Sequence, residues 1–427
     1  MKPSAKKTFI IVIIVTIVLA SVAVGLWQGG VFGGSTANEP TPPAGIVQSI
    51  IGDIEFGDKC TTTKLQSLTK HTKGTAITTG SMSFSGVNRV LFGLTNVDDS
   101  ATGSYIYKMQ WHIGNHTGTV SRGNVRCRSD DHKVQSDSVA AISDHQFAFI
   151  SVPTTESGLT AATSSNVIVR STNDHDQPDI ILTYTLDDEV YKPLVVHFSS
   201  HRKELYVLWY SSDAGAVILA SYPYRGYKII STPKSPTVTI NDGSVVPTSM
   251  THISDDLLIG GNGKVYHYKW TNVNGWSLLD TITQSDSFGF RTSMSSDRLF
   301  LATCDPEGDS GNGSLYLYSR TTTNDTWTLD NTYTTGSDGI TSYEGNDLGW
   351  TVAWSNHELF AGKVGSIVRI NADTGAVTMW TDGPGKEIGD CRYIGGFNYG
   401  ERNILGFFDN ADYNMYLYTQ CESLTES

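Results

Sequence analysis

Histidines and arginines are the residues of this chain most able to do chemistry. His112 and His116, His132 and His145, and His197 and His201 form near pairs among eleven histidines. A spacing of four brings two imidazoles onto one helix face. His197 and His201, however, fall on a strand-to-turn stretch, and no His-Glu-x-x-His motif accompanies them. A Gly-x-Ser-x-Gly elbow and a phosphate-binding P-loop are missing as well. The Gly-rich turns follow hairpin logic and do not precede helices, so phosphate cradling is not expected. Arg89, Arg202, Arg291 and Arg392 lie on or beside predicted inner strands, from which guanidinium groups could converge on a carboxylate. Three N-glycosylation sequons, at Asn115, Asn312 and Asn324, fall in polar turns that would accommodate glycan.

The composition narrows the function classes. The 427 residues carry 43 Asp and Glu against 30 Lys and Arg, a formal charge of −13, which disfavours a phosphate-rich partner such as nucleic acid. Aromatics make up 10% of the chain, too many for a disordered polymer. Five cysteines are too few for a disulfide scaffold.

Residues Phe9 to Leu26 read FIIVIIVTIVLASVAVGL without a charge. At about 1.5 Å per residue this run approaches the thickness of a bilayer core. Lys2, Lys6 and Lys7 precede it, and no basic residue follows until Lys59. The positive-inside rule predicts a type II single-pass anchor with the C-terminal part outside, at a cell surface or virion envelope. A cleaved signal peptide ending near Ser21-Val22-Ala23 is the alternative. The expected organisation is a cytoplasmic tail over 1–7, a transmembrane helix over 8–27, a Gly/Pro/Thr stalk over 28–59 and an ectodomain over 60–427.

The ectodomain shows short alternating runs rich in Val, Ile, Tyr, Thr and Trp, cut by Asn, Asp, Gly and Ser, which is a strand signature. The runs recur. Ser104-Tyr-Ile-Tyr, Asn166-Val-Ile-Val, Ala216-Val-Ile-Leu, Lys264-Val-Tyr-His-Tyr, Ser314-Leu-Tyr-Leu-Tyr, Ser366-Ile-Val-Arg-Ile and Asn414-Met-Tyr-Leu-Tyr open the same strand of successive units. Units of roughly 50 residues with four strands each predict an all-β fold, a seven-bladed β-propeller of four-stranded blades. The last blade runs short of chain. The segment Thr61 to Leu68 is expected to supply its outer strand, which sets Cys60 opposite Cys421 and predicts a disulfide between them. The alternative is that all five cysteines are free and buried.

The unit that begins at Phe288-Gly289 and turns through GDSGNGSLYLYSR resembles an FG-GAP repeat, as does the next one, with Leu348-Gly349 and Val352-Ala353. The resemblance is good over residues 286 to 382. It implies the propeller head of integrin-alpha-like adhesion proteins, here on an N-terminal membrane anchor as in virus-surface attachment glycoproteins. It also implies a calcium loop, matched here by Asp305, Glu307 and Asp309, whose oxygens at alternate positions suit a hard cation. Calcium is the candidate cofactor, and an ordinary solvated turn is the alternative.

The function expected on this basis is a non-enzymatic, membrane-anchored surface glycoprotein whose head binds an extracellular protein or glycan, for adhesion or receptor attachment. Tyr222 and Tyr224 in SYPYRGY, and Tyr343, are candidate contacts, with packing between blades as the alternative for each. Two alternatives stand beside it. One is a glycan-cleaving enzyme resembling sialidases, to whose Asp-box Asp373-Thr-Gly375 and Trp380 conform in part. The other is a structural envelope or surface protein.

Overall fold

Thirty-one strands and one short helical turn make up the described part of the chain in a computed structural model. The described residues lie between 77 and 421, with side chains described between 139 and 379 and several connecting segments left out. All belong to one compact unit, residues 44–427.

The strands form antiparallel meanders in which each strand pairs with the next in sequence. β1 (Ile77–Ser85), β2 (Val90–Val97), β3 (Tyr105–Trp111) and β4 (Gly118–Arg126) make the first sheet. β5 (His132–Ser143), β6 (Gln146–Pro153), β7 (Asn166–Ser171) and β8 (Ile180–Leu182) make the second. The third is larger. β9 (Tyr184–Leu186), β10 (Glu189–Ser199), β11 (Glu204–Ser211), β12 (Ala216–Arg225) and β13 (Lys228–Ile229) run in order, and β14 (Val238–Ile240) also pairs with β12.

Three regular four-stranded sheets follow. They are β15 (Ser249–Ile253), β16 (Asp256–Gly261), β17 (Lys264–Thr271) and β18 (Gly275–Thr283); then β19 (Thr292–Met294), β20 (Phe300–Asp305), β21 (Ser314–Ser319) and β22 (Thr328–Thr334); then β23 (Val352–Ser355), β24 (Glu358–Lys363), β25 (Ser366–Asn371) and β26 (Val377–Trp380). A two-stranded hairpin, β27 (Asp382–Gly383) with β28 (Lys386–Glu387), precedes a three-stranded sheet of β29 (Cys391–Tyr399), β30 (Arg402–Asp409) and β31 (Asn414–Cys421).

The all-β class is as expected, but the closed seven-bladed propeller of four-stranded blades is corrected. The described strands divide into eight hydrogen-bonded sheets of four, four, six, four, four, four, two and three strands, and no pairing joins the last sheet to the first. The segment 61–68 and Cys60, on which the expected clasp rests, lie outside the described residues, as do the side chain of Cys421 and the boundaries set at 7, 27 and 59. No helix among the described residues is long and apolar enough to cross a membrane. On that finding the type II anchor, the membrane as partner and the surface or virion location are corrected. The run 9–26 lies outside the described residues.

The core sits in layers between consecutive sheets, because the middle strands are apolar on both faces. β11 (ELYVLWYS) and β16 (DLLIGG) bury nearly every residue. One side of β11 gives Leu205, Val207 and Trp209 to the layer shared with β6 and β7; the other gives Tyr206 and Leu208 to the layer shared with β16 and β17. Leu258 and Val265 pack with Phe288, Leu301 and Tyr318 in the next layer. Leu315 and Leu317 pack with Leu348, Leu359 and Val368 in the one after.

Glycines fix how closely these sheets approach. Gly289 has φ +86°, and a Cβ there would stand 2.5 Å from the Lys264 carbonyl oxygen. Its N–H donates to the Cys304 carbonyl, while the Phe288 carbonyl accepts from Gly263 N–H at 2.9 Å. Gly349 repeats the arrangement, with φ +94° and its N–H donating to Gly362. In both units the apolar residue before the glycine, Phe288 or Leu348, is fully buried. Gly289→Ala is expected to cost about 2 to 3 kcal/mol, from backbone strain and steric overlap together. Gly336→Ala, at φ +89° with open space around it, should cost about 1 kcal/mol. Urea unfolding of the two variants checks this, and equal losses would refute the close-approach argument.

Candidate functional site

Each middle strand begins with a turn, and in three sheets its first residue is a buried acid: Glu204 of β11, Asp256 of β16 and Glu358 of β24. A carboxylate in that position must be neutralised or it pays heavily for leaving water. Glu204 pairs with Lys234 and accepts from the Tyr206 hydroxyl at 2.9 Å. Glu358 pairs with Arg369. In β20 the position is held by Phe300, and the cations around it turn back to the preceding sheet.

Asp256 collects them. Its carboxylate is fully buried and takes the His267 ring at 2.7 Å, Lys269 Nζ at 3.2 Å, Arg298 at 3.1 Å and Arg320 at 3.2 Å. His267 and Lys269 come from β17 of its own sheet. Arg298 and Arg320 flank β20 and β21 of the next. Trp327, just before β22, donates its indole N–H to His267 Nδ1 at 3.1 Å. That bond makes Nδ1 an acceptor, so the neutral ring carries its proton on Nε2 and donates it to Asp256. Burial alone would raise the Asp256 pKa. The His267 hydrogen bond and the charges of Arg320 and Lys269 overcome it and hold the carboxyl at about 2. Burial lowers the His267 pKa and prevails over the raising effect of Asp256. The arrangement is a staple between two sheets, with an ionised acid and a neutral imidazole fixed in place.

A second cluster lies between β10–β11 and the β15–β18 sheet. Arg202 lies 3.8 Å over the Trp270 ring and 3.8 Å from Asp255. His252 is buried against Tyr206 and Trp276, with ring centroids 5.2 and 5.5 Å away, and His197 lies 6.3 Å off. Burial is the main reason that the His252 pKa falls to about 3, and the neighbouring His197, Arg202 and His201 add to it.

The structure separates the residues singled out from sequence. Asp305 is buried and accepts hydrogen bonds from the Ser285 and Ser287 hydroxyls, whereas Glu307 and Asp309 are exposed on the turn Gly308–Gly311. Among the described residues no group of three or more His, Cys, Asp or Glu side chains is placed to hold a metal ion. Arg202 and Arg291 are engaged separately: Arg291 donates to the carbonyls of Thr248 and Phe290 and stacks on the Phe290 ring. Arg89 and the side chain of Arg392 lie outside the described residues. Asn312 and Asn324 sit in turns flanking β21, with Asn324 exposed; Asn115 lies outside. The Asp213–Gly215 and Asp373–Gly375 segments are hairpin turns, with φ +57° at Gly215 and +69° at Gly375.

Of the candidate contacts, Tyr222 is fully buried and Tyr224 packs against Phe198. The exposed aromatic of that segment is Tyr227. It sits with Gly226 in the two-residue turn between β12 and β13, closed by the Tyr224–Ile229 and Arg225–Lys228 pairs. Both turn residues have positive φ, +57° and +65°. Sequence reasoning passed over Tyr227, although Arg-Gly-Tyr-Lys carries a glycine hairpin signal.

No family model matches the sequence, and no curated protein matches it. The FG-GAP resemblance, and the integrin-like or virion-attachment role attached to it, is corrected by the division into separate sheets and by the lack, among the described residues, of a helix long and apolar enough to cross a membrane. Among the described residues no metal-binding cluster supports the sialidase-like alternative. Among solved structures the chain is similar to Sqt1 of Saccharomyces cerevisiae, at 12% identity and a TM-score of 0.49 over 84% of this chain and 99% of that one. It is similar to a protein from Lactobacillus plantarum at 14% identity and 0.48, over 78% and 96% of the two chains. A functionally unknown protein from Desulfotomaculum acetoxidans follows at 11% and 0.42, over 68% and 81%.

Proposed function

We propose that the chain is a non-catalytic recognition module that grips an acidic segment of a protein partner with the tip of the β12–β13 hairpin. Tyr227 carries this reading. It is 87% exposed, and it is the one aromatic among the described non-glycine residues with positive φ. An exposed phenol ring held in a backbone conformation that costs about 1 kcal/mol or more gains nothing for folding, and strain of this kind concentrates at working sites. Arg225 and Lys228 flank it, both exposed, on a chain of net charge −13. A basic and aromatic tip suits an acidic partner, since Tyr and Arg are enriched where binding energy concentrates. The hairpin is also an addition: it extends the third sheet beyond the four strands of its neighbours.

The full chain applied to an array of acidic peptides should retain a subset of them. Tyr227→Ala, and separately Arg225→Ser with Lys228→Ser, should weaken retention at least tenfold while leaving the unfolding midpoint unchanged. Retention that survives both changes, or peptides that are cleaved rather than held, would overturn the reading.

A further inference from the structure

The Asp256 staple holds more positive charge than its acid can use. Lys269, Arg298 and Arg320 contribute three cations to one carboxylate, with His267 neutral, so cations outnumber the acid they share. Asp280 keeps its charge nearby, with its oxygens accepting from the Thr281 and Trp327 backbone N–H groups. Asp325 acts on Arg320 from an exposed position, where solvent screens it, and already accepts from Thr322 N–H.

The three cations differ in what they have left to give. Lys269 Nζ is used up by both Asp256 oxygens and the Thr323 carbonyl. Arg298 gives one nitrogen to Asp256, and its side chain remains 24% exposed. The Arg320 side chain is completely buried and stacks 4.2 Å over the Trp327 ring; its Nε donates to the Arg298 carbonyl and one terminal nitrogen lies 3.2 Å from Asp256 as an ion pair, but neither terminal nitrogen has a hydrogen-bond acceptor. A buried guanidinium N–H without an acceptor is costly, and an oxyanion is the acceptor that also cancels the surplus charge.

We propose that Arg298 and Arg320, with Lys269 behind them, bind a tetrahedral phosphoryl oxyanion at the seam between the β15–β18 and β19–β22 sheets. An oxyanion answers the excess of cations around the one shared acid, and the planar forks of two arginines match its oxygens. Arg298, partly open to solvent, is the point of entry. The site is separate from the Tyr227 tip and does not depend on it.

Titration calorimetry of the full chain with inorganic phosphate, at ionic strength held constant with chloride, tests the proposal. The expected result is saturable binding of phosphate, with acetate at least tenfold weaker. Glycerol phosphate in a parallel arm distinguishes a phosphate ester from the free ion: tighter binding assigns the site to an ester. Arg298→Gln should weaken phosphate at least tenfold, and Arg298→Lys should restore part of the loss. Arg298→Gln keeps its acid partner ringed by Lys269, Arg320 and His267, and circular dichroism confirms its fold. Phosphate that behaves as chloride does in the wild type, or that binds Arg298→Gln with undiminished affinity, would sink the proposal.

Discussion

Asp256→Asn should destabilise the protein by about 3 to 5 kcal/mol, the loss expected when one partner of a buried ion cluster is removed and the others stay charged. The substitution keeps the shape of the side chain but leaves Lys269, Arg298 and Arg320 facing one another, with Arg320 wholly buried. Two sheets lose their link at once, since the cluster takes His267 and Lys269 from one and Arg298, Arg320 and Trp327 from the next. Urea unfolding should show the loss as a lower midpoint with the same slope. A double change gives a sharper test. Arg298→Met alone removes an ion-pair partner and should destabilise. In the Asp256→Asn background it removes a repelling charge, and the same change should stabilise. A cost below about 1 kcal/mol for Asp256→Asn, or an unchanged sign for Arg298→Met, would show that the cluster does not hold the sheets together. The acid limit has a definite sign as well. The folded pKa of Asp256, about 2, lies below its ordinary value of 3.8. The stability it contributes is complete above pH 4 and is lost as pH falls toward 2.

The strand order was open to sequence reasoning because it depends on local pattern. Asn166, Ala216, Lys264, Ser314, Ser366 and Asn414 each open a strand in the structure, as their alternation and the turns before them predict. Phe288-Gly289 and Leu348-Gly349 were legible as repeat starts, because a buried side chain and a positive φ must recur wherever the same close approach recurs. The number of strands in each sheet was not. It depends on insertions such as β12–β13, whose Arg-Gly-Tyr-Lys turn interrupts the period without disturbing the apolar pattern on either side. The ion cluster was hidden for another reason. Asp256 and Arg320 are far apart in sequence and meet only because consecutive sheets pack face to face. One signal was present: an acid directly precedes the apolar run in Glu204-Leu205, Asp256-Leu257 and Glu358-Leu359. A charge repeated at the mouth of a buried strand calls for a cation from elsewhere, and composition alone cannot say which. The orientation of Asp305 was hidden by the same limit, since its neighbours in the loop are exposed while it turns inward to Ser285 and Ser287.

Between pH 6.5 and 4 the folded protein should lose stability steadily, and His252 should account for about 1.4 kcal/mol of that loss per pH unit. The sign follows from burial. His252 is 7% exposed and its folded pKa is about 3, against an ordinary 6.5. Below pH 6.5 the unfolded chain takes up a proton at this residue and the folded chain does not, so acid favours unfolding. The contribution is complete above pH 6.5 and disappears progressively toward pH 3. The groups around the ring reinforce this. Arg202, His201 and His197 all disfavour a further positive charge, while Glu204, the nearby acid, is occupied by Lys234 and Tyr206. His197 is lowered too, to about 4, chiefly by burial, and adds to the same acid limb over most of this range. His267 moves in the same direction. His252→Gln should therefore cost stability at pH 7.5, where the ring packing against Tyr206 and Trp276 is lost, and yet flatten the acid limb by close to one proton. A constant deficit with an unchanged slope would mean that His252 takes up its proton in the folded protein as readily as in the unfolded chain. The aromatic walls of Tyr206, Trp270 and Trp276 would then admit water to a layer that the packing of β11 on β16 and β17 makes dry.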